Sequence, residues 1–178
     1  MVEVALFRKR VARATSDRTM RLGKSLRGRI FDIALSSLLL AALAPLMIAT
    51  ALAIYLEDGG LVLFAQSRLG FAGRSFRCFK FRSMCVDAEM RLGALLEASP
   101  AARAQWEQDH KLKVDPRITR VGAFIRKYSL DELPQLFNVL RGDMTLVGPR
   151  PIIQAEVWRY GRRFGHYCAV KPGLTGLW

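Results

Sequence analysis

The apolar and polar positions change pattern twice along the chain. Residues 1–30 are polar and strongly basic, and then Ile33–Leu56 runs for 24 residues without a single charge, bounded by Asp32 and by Glu57-Asp58. At about 1.5 Å per residue a helix of that length reaches across a hydrocarbon core of roughly 30 Å. Pro45 lies in the middle of the run, where it removes a backbone donor and predicts a kink. After Glu57-Asp58-Gly59-Gly60 the period shortens. Leu61–Gln66 is β-like, Gly70–Gly73 reads as a turn and Ser75–Phe81 alternates, so a hairpin is predicted. Arg77, Phe79 and Phe81 fall on one face of its second strand, and Phe76, Cys78 and Lys80 on the other. Residues 84–98 and 101–112, split by Ser99-Pro100, read as two peripheral helices. Asp115-Pro116 predicts a helix start, with Ile118, Val121, Ile125 and Tyr128 along one side. Ser129-Leu130-Asp131-Glu132 has the pattern of a capping box opening a further helix, with Leu133, Leu136, Phe137 and Leu140 as its buried stripe and Gly142 as its end. Met144–Val147 then predicts a short strand leading into Gly148-Pro149-Arg150-Pro151, a rigid turn that holds an arginine out.

Charge sharpens this picture. The 178 residues suit about one domain, and a hydrophobic content of 51% excludes a disordered chain. Lys and Arg exceed Asp and Glu by 28 to 15, a net charge of +13. The excess is split: residues 1–30 and residues 57–178 each carry +7, with Asp32 making up the difference. A simple transmembrane helix accounts for the length of the apolar run, but spanning helices concentrate Lys and Arg on one flank. A helix that enters, kinks at Pro45 and leaves on the same face accounts for both flanks. Ser36, Ser37 or Thr50 would then partner the freed backbone. The basic arm reads either as a tail on anionic headgroups or as a solvated segment without a role. It is too long for a signal peptide. Cys78, Cys85 and Cys168 are odd in number and lack paired spacing, so they read as reduced core residues rather than a disulfide or zinc set. A nucleic-acid binder would need a recognition helix or aromatic strand set that the basic residues here do not form.

One constellation carries chemistry. Asp131 and Glu132 sit in a predicted first helical turn, where free amides and the helix dipole favour anions, and Arg126 and Lys127 precede them. Acidic residues are common in that position for purely structural reasons. Together with Lys80, Arg126 and Arg150, however, they supply the parts of phosphoryl transfer: a carboxylate nucleophile, acids for a divalent cation, and cations for phosphate oxygens. Lys80 has two readings, a phosphate ligand or an edge lysine that discourages aggregation.

The stretch DPRITRVGAFIRKYSLDELPQLFNVLRGDMTLVGPRP (Asp115–Pro151), with KFRSM (Lys80–Met84) before it and KPGLTGLW (Lys171–Trp178) after it, resembles the bacterial sugar transferase family of small monotopic phosphoglycosyl transferases. The resemblance implies transfer of a sugar 1-phosphate from a UDP-sugar to undecaprenyl phosphate, with release of UMP and a requirement for Mg²⁺, as the priming step of exopolysaccharide assembly. It implies Asp131 as the nucleophile that forms an aspartyl phosphosugar, Glu132 as a group that helps to hold the metal or orients the nucleophile, and Lys80, Arg126 and Arg150 as phosphate ligands. An aspartate needs no base to be ionised at neutral pH. It also implies a re-entrant membrane helix broken at Pro45.

The organisation expected is α+β: a basic arm over 1–28, a membrane helix-break-helix over 29–58, and a mainly helical catalytic domain with a hairpin over 59–178. The location expected is the bacterial inner membrane, with that domain on the cytoplasmic face. Expected partners are the UDP-sugar, undecaprenyl phosphate, inner-membrane lipid, a homo-oligomeric copy and downstream glycosyltransferases, and no nucleic acid. Three departures stand out. Ala44 replaces a frequent serine before the membrane proline, Gly59-Gly60 stands where Gly-Pro is common, and family chains continue past the Gly-Leu-Thr-Gly-Leu-Trp motif. The last leaves two alternatives open, a fragment of a longer gene product or a truncated, inactive relative acting as a membrane scaffold.

Overall fold

The computed structural model describes residues 26–109, 112 and 114–176. The basic arm up to residue 25 and the closing Leu177-Trp178 lie outside the described residues. The fold is α+β. Helix α1 (Leu26–Asp58) contains the whole uncharged run and stays helical through Pro45. It is long and apolar enough to cross a membrane, and only 11% of its most apolar window is buried. Thr50 donates its hydroxyl to the Leu46 carbonyl at 2.8 Å, so it serves its own turn, while the Ser36 hydroxyl is buried without a partner. A hairpin follows, β1 (Leu63–Leu69) and β2 (Ser75–Phe81), closed by a tight turn in which the Gly70 amide donates to the Arg74 carbonyl. Next come α2 (Ala88–Ala98), α3 (Pro100–Asp109), α4 (Arg120–Lys127) and α5 (Gln135–Arg141). The remainder is β3 (Thr145–Val147), the short helices α6 (Val157–Tyr160) and α7 (Phe164–Cys168), and β4 (Gly173–Thr175), which pairs in parallel with β3.

The chain forms two compact units that interleave along the sequence. The first contains the chain up to Ala44, Ala65–Lys80 and everything from Pro134. One of its cores gathers Cys78, Leu136, Val139, Met144 and Leu146, with Leu35, Leu39 and Leu40 of α1 packed against them. Another gathers Leu69, Ile152, Phe164, Tyr167 and Cys168, and there the Tyr167 hydroxyl donates to the Leu69 carbonyl at 2.7 Å. The start of α1 is pinned within this unit by polar contacts. Arg29 donates from both terminal nitrogens to the Val139 and Leu140 carbonyls at 2.5 Å, capping the orphan C-terminal carbonyls of α5. The buried Asp32 accepts from the Thr145 hydroxyl and the Leu146 amide. Burial, with Arg29 close by, lowers the pKa of Lys171.

The second unit contains Pro45–Phe64 and Phe81–Leu133. Its core is Ile54, Phe81 and Ile125, with Val62, Val121, Leu130 and Leu133 packed around them. Arg82 ties the end of α1 to the chain after β2 through the Asp58 carboxylate and the Gly59 carbonyl. All three cysteines are buried and free, as their spacing implies.

Several expected elements are displaced, each for an identifiable reason. The helix read from Asp115-Pro116 starts at Arg120, because the Asp115 carboxylate is taken up by the Arg117 side chain and amide and Thr119 caps instead. Ile118 bridges to Met84 ahead of that helix, and Tyr128, past its end, is exposed. The first peripheral helix begins at Ala88 rather than residue 84, since Met84 and Cys85 are held by Ile118 and Arg117. Pro100 is the first residue of α3 rather than a spacer before it, where its missing amide is not needed.

Candidate active site

The carboxylate pair sits in an irregular turn. No capping box forms at Ser129–Glu132. Ser129 has φ +55°, makes no side-chain cap and donates its amide to the Arg126 carbonyl, so it ends α4 in the left-handed position usually given to glycine. A non-glycine residue in that conformation costs on the order of 1 kcal/mol. Leu130–Glu132 is one 3₁₀ turn, and α5 does not start until Gln135. Leu130 and Leu133, on either side of the pair, pack against the Ile54–Phe81–Ile125 core, and Asp131 is only 9% exposed while Glu132 is half-buried. Two leucine anchors and a reversed serine thus set the place of the two acids.

Arg126 belongs to the same unit. It lies on the last turn of α4, and its Nε–H donates to the Ser83 hydroxyl at 2.7 Å. The scaffold beneath is tightly fitted. Thr119 Oγ1 accepts from the Gly122 amide at 2.9 Å, and the Glu57 carboxylate accepts from the Arg120 and Val121 amides, so the free amides of α4 are satisfied. A methyl group on Gly122 would lie 2.0 Å from the Ser83 carbonyl oxygen, so helix and loop touch backbone to backbone.

Lys80 and Arg150 belong to the first unit. Lys80 is half-buried near the end of β2. Arg150 projects from its proline-flanked turn into solvent and pairs at 3.4 Å with Glu156, whose other oxygen is 3.7 Å from Arg68. Burial raises the Glu156 carboxyl, but the Ile153 amide and the two guanidiniums more than offset it and hold the group below its ordinary value. Arg68 donates further to Gln66 and to the Pro151 carbonyl, which fixes the turn that carries Arg150.

The structure therefore groups Asp131, Glu132 and Arg126 in one unit and Lys80 and Arg150 in the other. It adds residues that the pattern missed. Ser83 lies inside the KFRSM motif, where its pattern gives it no role, and Glu156 and Arg68 enter the sequence only as charge. Asn138 of α5 is wholly buried; it donates to the Arg77 carbonyl at 2.7 Å and accepts from the Phe79 amide at 2.9 Å, beside Lys80. Its polarity hid it from a search for apolar stripes.

These features define a small α+β protein with one helix long and apolar enough to cross a membrane, an adjacent carboxylate pair and arginines held in fixed directions. Residues 10–178 match the family model described as bacterial sugar transferase, and the chain belongs to that family. It is 53% identical over 155 residues to the undecaprenyl-phosphate galactose phosphotransferase of Salmonella typhimurium, covering 84% of this chain and 31% of that protein. It is 49% identical over 156 residues to the undecaprenyl-phosphate glucose phosphotransferase of Komagataeibacter xylinus, covering 83% of this chain and 26% of the relative. With the exopolysaccharide production protein ExoY of Sinorhizobium fredii it shares 42% over 150 residues, 84% of this chain and 66% of the relative. The chain thus spans about a third of the length of several curated relatives it matches and about two thirds of the ExoY protein.

Proposed function

We propose that this chain carries the transferase site that moves a sugar 1-phosphate from a UDP-sugar to undecaprenyl phosphate. The observation that carries the reading is the Asp131-Glu132 turn: two adjacent carboxylates fixed by core leucines, five residues after an arginine whose Nε–H is held by the Ser83 hydroxyl. A carboxylate oxygen of Asp131 attacks the phosphorus bonded to the sugar, and the bond from that phosphorus to UMP breaks, with UMP leaving as the anion. The resulting aspartyl phosphosugar is then attacked at the same phosphorus by an oxygen of undecaprenyl phosphate, which returns the Asp131 carboxylate and forms undecaprenyl-diphosphate-sugar. Arg126, Lys80 and Arg150 serve as ligands for phosphate oxygens, where fixed positive charge counts most as negative charge shifts to the leaving group.

Asp131 and Glu132 would hold Mg²⁺ at a site of the kind that uses one or two carboxylates and fills its remaining positions with water and substrate phosphate. Bound there, the ion supplies neutralising charge to the diphosphate. The apolar α1 supports residence in the bacterial inner membrane, and the equal charge on its two flanks supports re-entry at Pro45, with both flanks on the cytoplasmic face. UMP release is the test: with Mg²⁺, undecaprenyl phosphate and a panel of UDP-sugars, UMP appears, and Asp131→Asn abolishes it. Undiminished release from that variant excludes Asp131 as the nucleophile.

A further inference from the structure

We infer that Ser83 is a positioning residue: its hydroxyl fixes the direction of the Arg126 guanidinium and thereby sets how that arginine meets a phosphate oxygen. The inference rests on the phosphate-binding role proposed for Arg126. An exposed arginine at the end of a helix ordinarily samples many rotamers, and that freedom is lost when it takes up an anion. Here the Nε–H is already committed to Ser83 Oγ at 2.7 Å, so the two terminal nitrogens are left as a fork whose plane is set before any ligand arrives.

The hydroxyl is itself immobile. Ser83 is buried, its carbonyl accepts from the Thr119 amide, and the residues after it are held by Met84–Ile118 pairing and by the Cys85 amide on the Arg117 carbonyl. The missing side chain at Gly122 lets the Ser83 backbone lie directly on α4, so the serine and the helix that bears Arg126 move as one body. Both oxygens of the neighbouring Asp115 carboxylate are engaged by Arg117. A serine in this place does little as a core residue, whereas a hydroxyl aimed at Nε orients the fork.

Two measurements on the chain in lipid nanodiscs test this, one of which needs no turnover. Inorganic pyrophosphate is titrated by calorimetry into the wild type, Ser83→Ala, Ser83→Thr, Arg126→Ala and the Ser83→Ala/Arg126→Ala double variant. Ser83→Ala is expected to weaken binding by about tenfold, Ser83→Thr to recover most of it, and the double variant to bind no worse than Arg126→Ala alone. In UMP release the same pattern is expected to fall more on kcat than on KM, as for a contact that strengthens toward the transition state. The unfolding midpoint of Ser83→Ala stays near that of the wild type, which a merely structural serine would not allow alongside the loss. Pyrophosphate binding that Ser83→Ala leaves unchanged, a loss that persists in the Arg126→Ala background, or a wild type that does not bind pyrophosphate overturns the inference. Coupled pyrophosphate binding without any UMP release overturns the transferase reading and leaves the positioning role standing.

Discussion

Asn138 offers the sharpest test of how the first unit holds its hairpin strand. Its carboxamide is 0% exposed and makes the contacts an edge strand would otherwise seek from another strand: Nδ2 to the Arg77 carbonyl at 2.7 Å, and Oδ1 from the Phe79 amide at 2.9 Å. Nδ2 also reaches the Asp143 carboxylate at 3.3 Å, and the Asn138 carbonyl accepts from the amides that close α5 at Gly142. Asn138→Ala leaves a strand amide and a strand carbonyl without partners in a buried place. Each such group costs roughly 1–3 kcal/mol, and water entering the space returns part of it, so a net loss of about 3 kcal/mol is expected. Against a typical total of about 5–15 kcal/mol that loss is large. Asn138→Asp keeps an acceptor for Phe79 but removes the donor and sets a second carboxylate near Asp143, so at neutral pH it is expected to be no milder. Hydrogen exchange locates the effect, since the Phe79 amide should lose protection in both variants while the Tyr167-centred core keeps its own. A loss below about 1 kcal/mol in denaturant unfolding, with the Phe79 amide still protected, would refute the reasoning.

Two further outcomes follow from the second unit. Gly122→Ala places a carbon 2.0 Å from the Ser83 carbonyl oxygen and 2.9 Å from Thr119 Oγ1; because the first obstacle is backbone, the change is expected to destabilise by about 2 kcal/mol despite the better helix propensity of alanine, read as a lower unfolding midpoint. The Arg117 side-chain bonds hold the Asp115 carboxyl below its ordinary value, so Asp115 contributes stability that is present above about pH 4 and is lost as the pH falls through the lowered folded-state value. Asp115→Asn is therefore expected to be less stable than the wild type at pH 7 and to converge with it toward pH 3, and an equal gap at both pH values would count against the pair.

What the sequence made legible and what it hid divide along a physical line. The apolar helix, the hairpin, the end of α5 at Gly142 and the short strand before Arg150 are all local: each is set by a run, an alternation or a turn residue whose effect acts within a few positions. The pairing of β3 with β4 joins residues nearly thirty positions apart, and three-residue strands carry too little pattern to announce a partner. The face of α5 was misread for a different reason. Apolar spacing selected Phe137 and Leu140, yet Phe137 is exposed, and the buried positions are Gln135, Leu136, Asn138 and Val139. A period argument counts apolar side chains, whereas this face is set partly by an amide that satisfies strand groups, a demand that exists only once the strand is beside it.

The same distinction explains the turn that carries the acids. Ser129-x-x-Glu132 has the composition of a capping box, and in isolation a serine there would cap. A competing demand governs the observed geometry: α4 must stop within two residues of Arg126 so that Leu130 and Leu133 can both reach the Ile54–Phe81–Ile125 core. A left-handed residue reverses the chain quickly, and Ser129 takes that conformation at φ +55° although it is not glycine. Full burial of a leucine side chain gains roughly 1.5–3 kcal/mol, so partial burial of two of them together is enough to offset a strain of about 1–2 kcal/mol at one serine. The acids between those leucines are consequently held by the hydrophobic core of their own unit rather than by a long helix. That is why Asp131 is buried in a turn of three residues, and why the motif could name the two carboxylates while giving the wrong account of what fixes them.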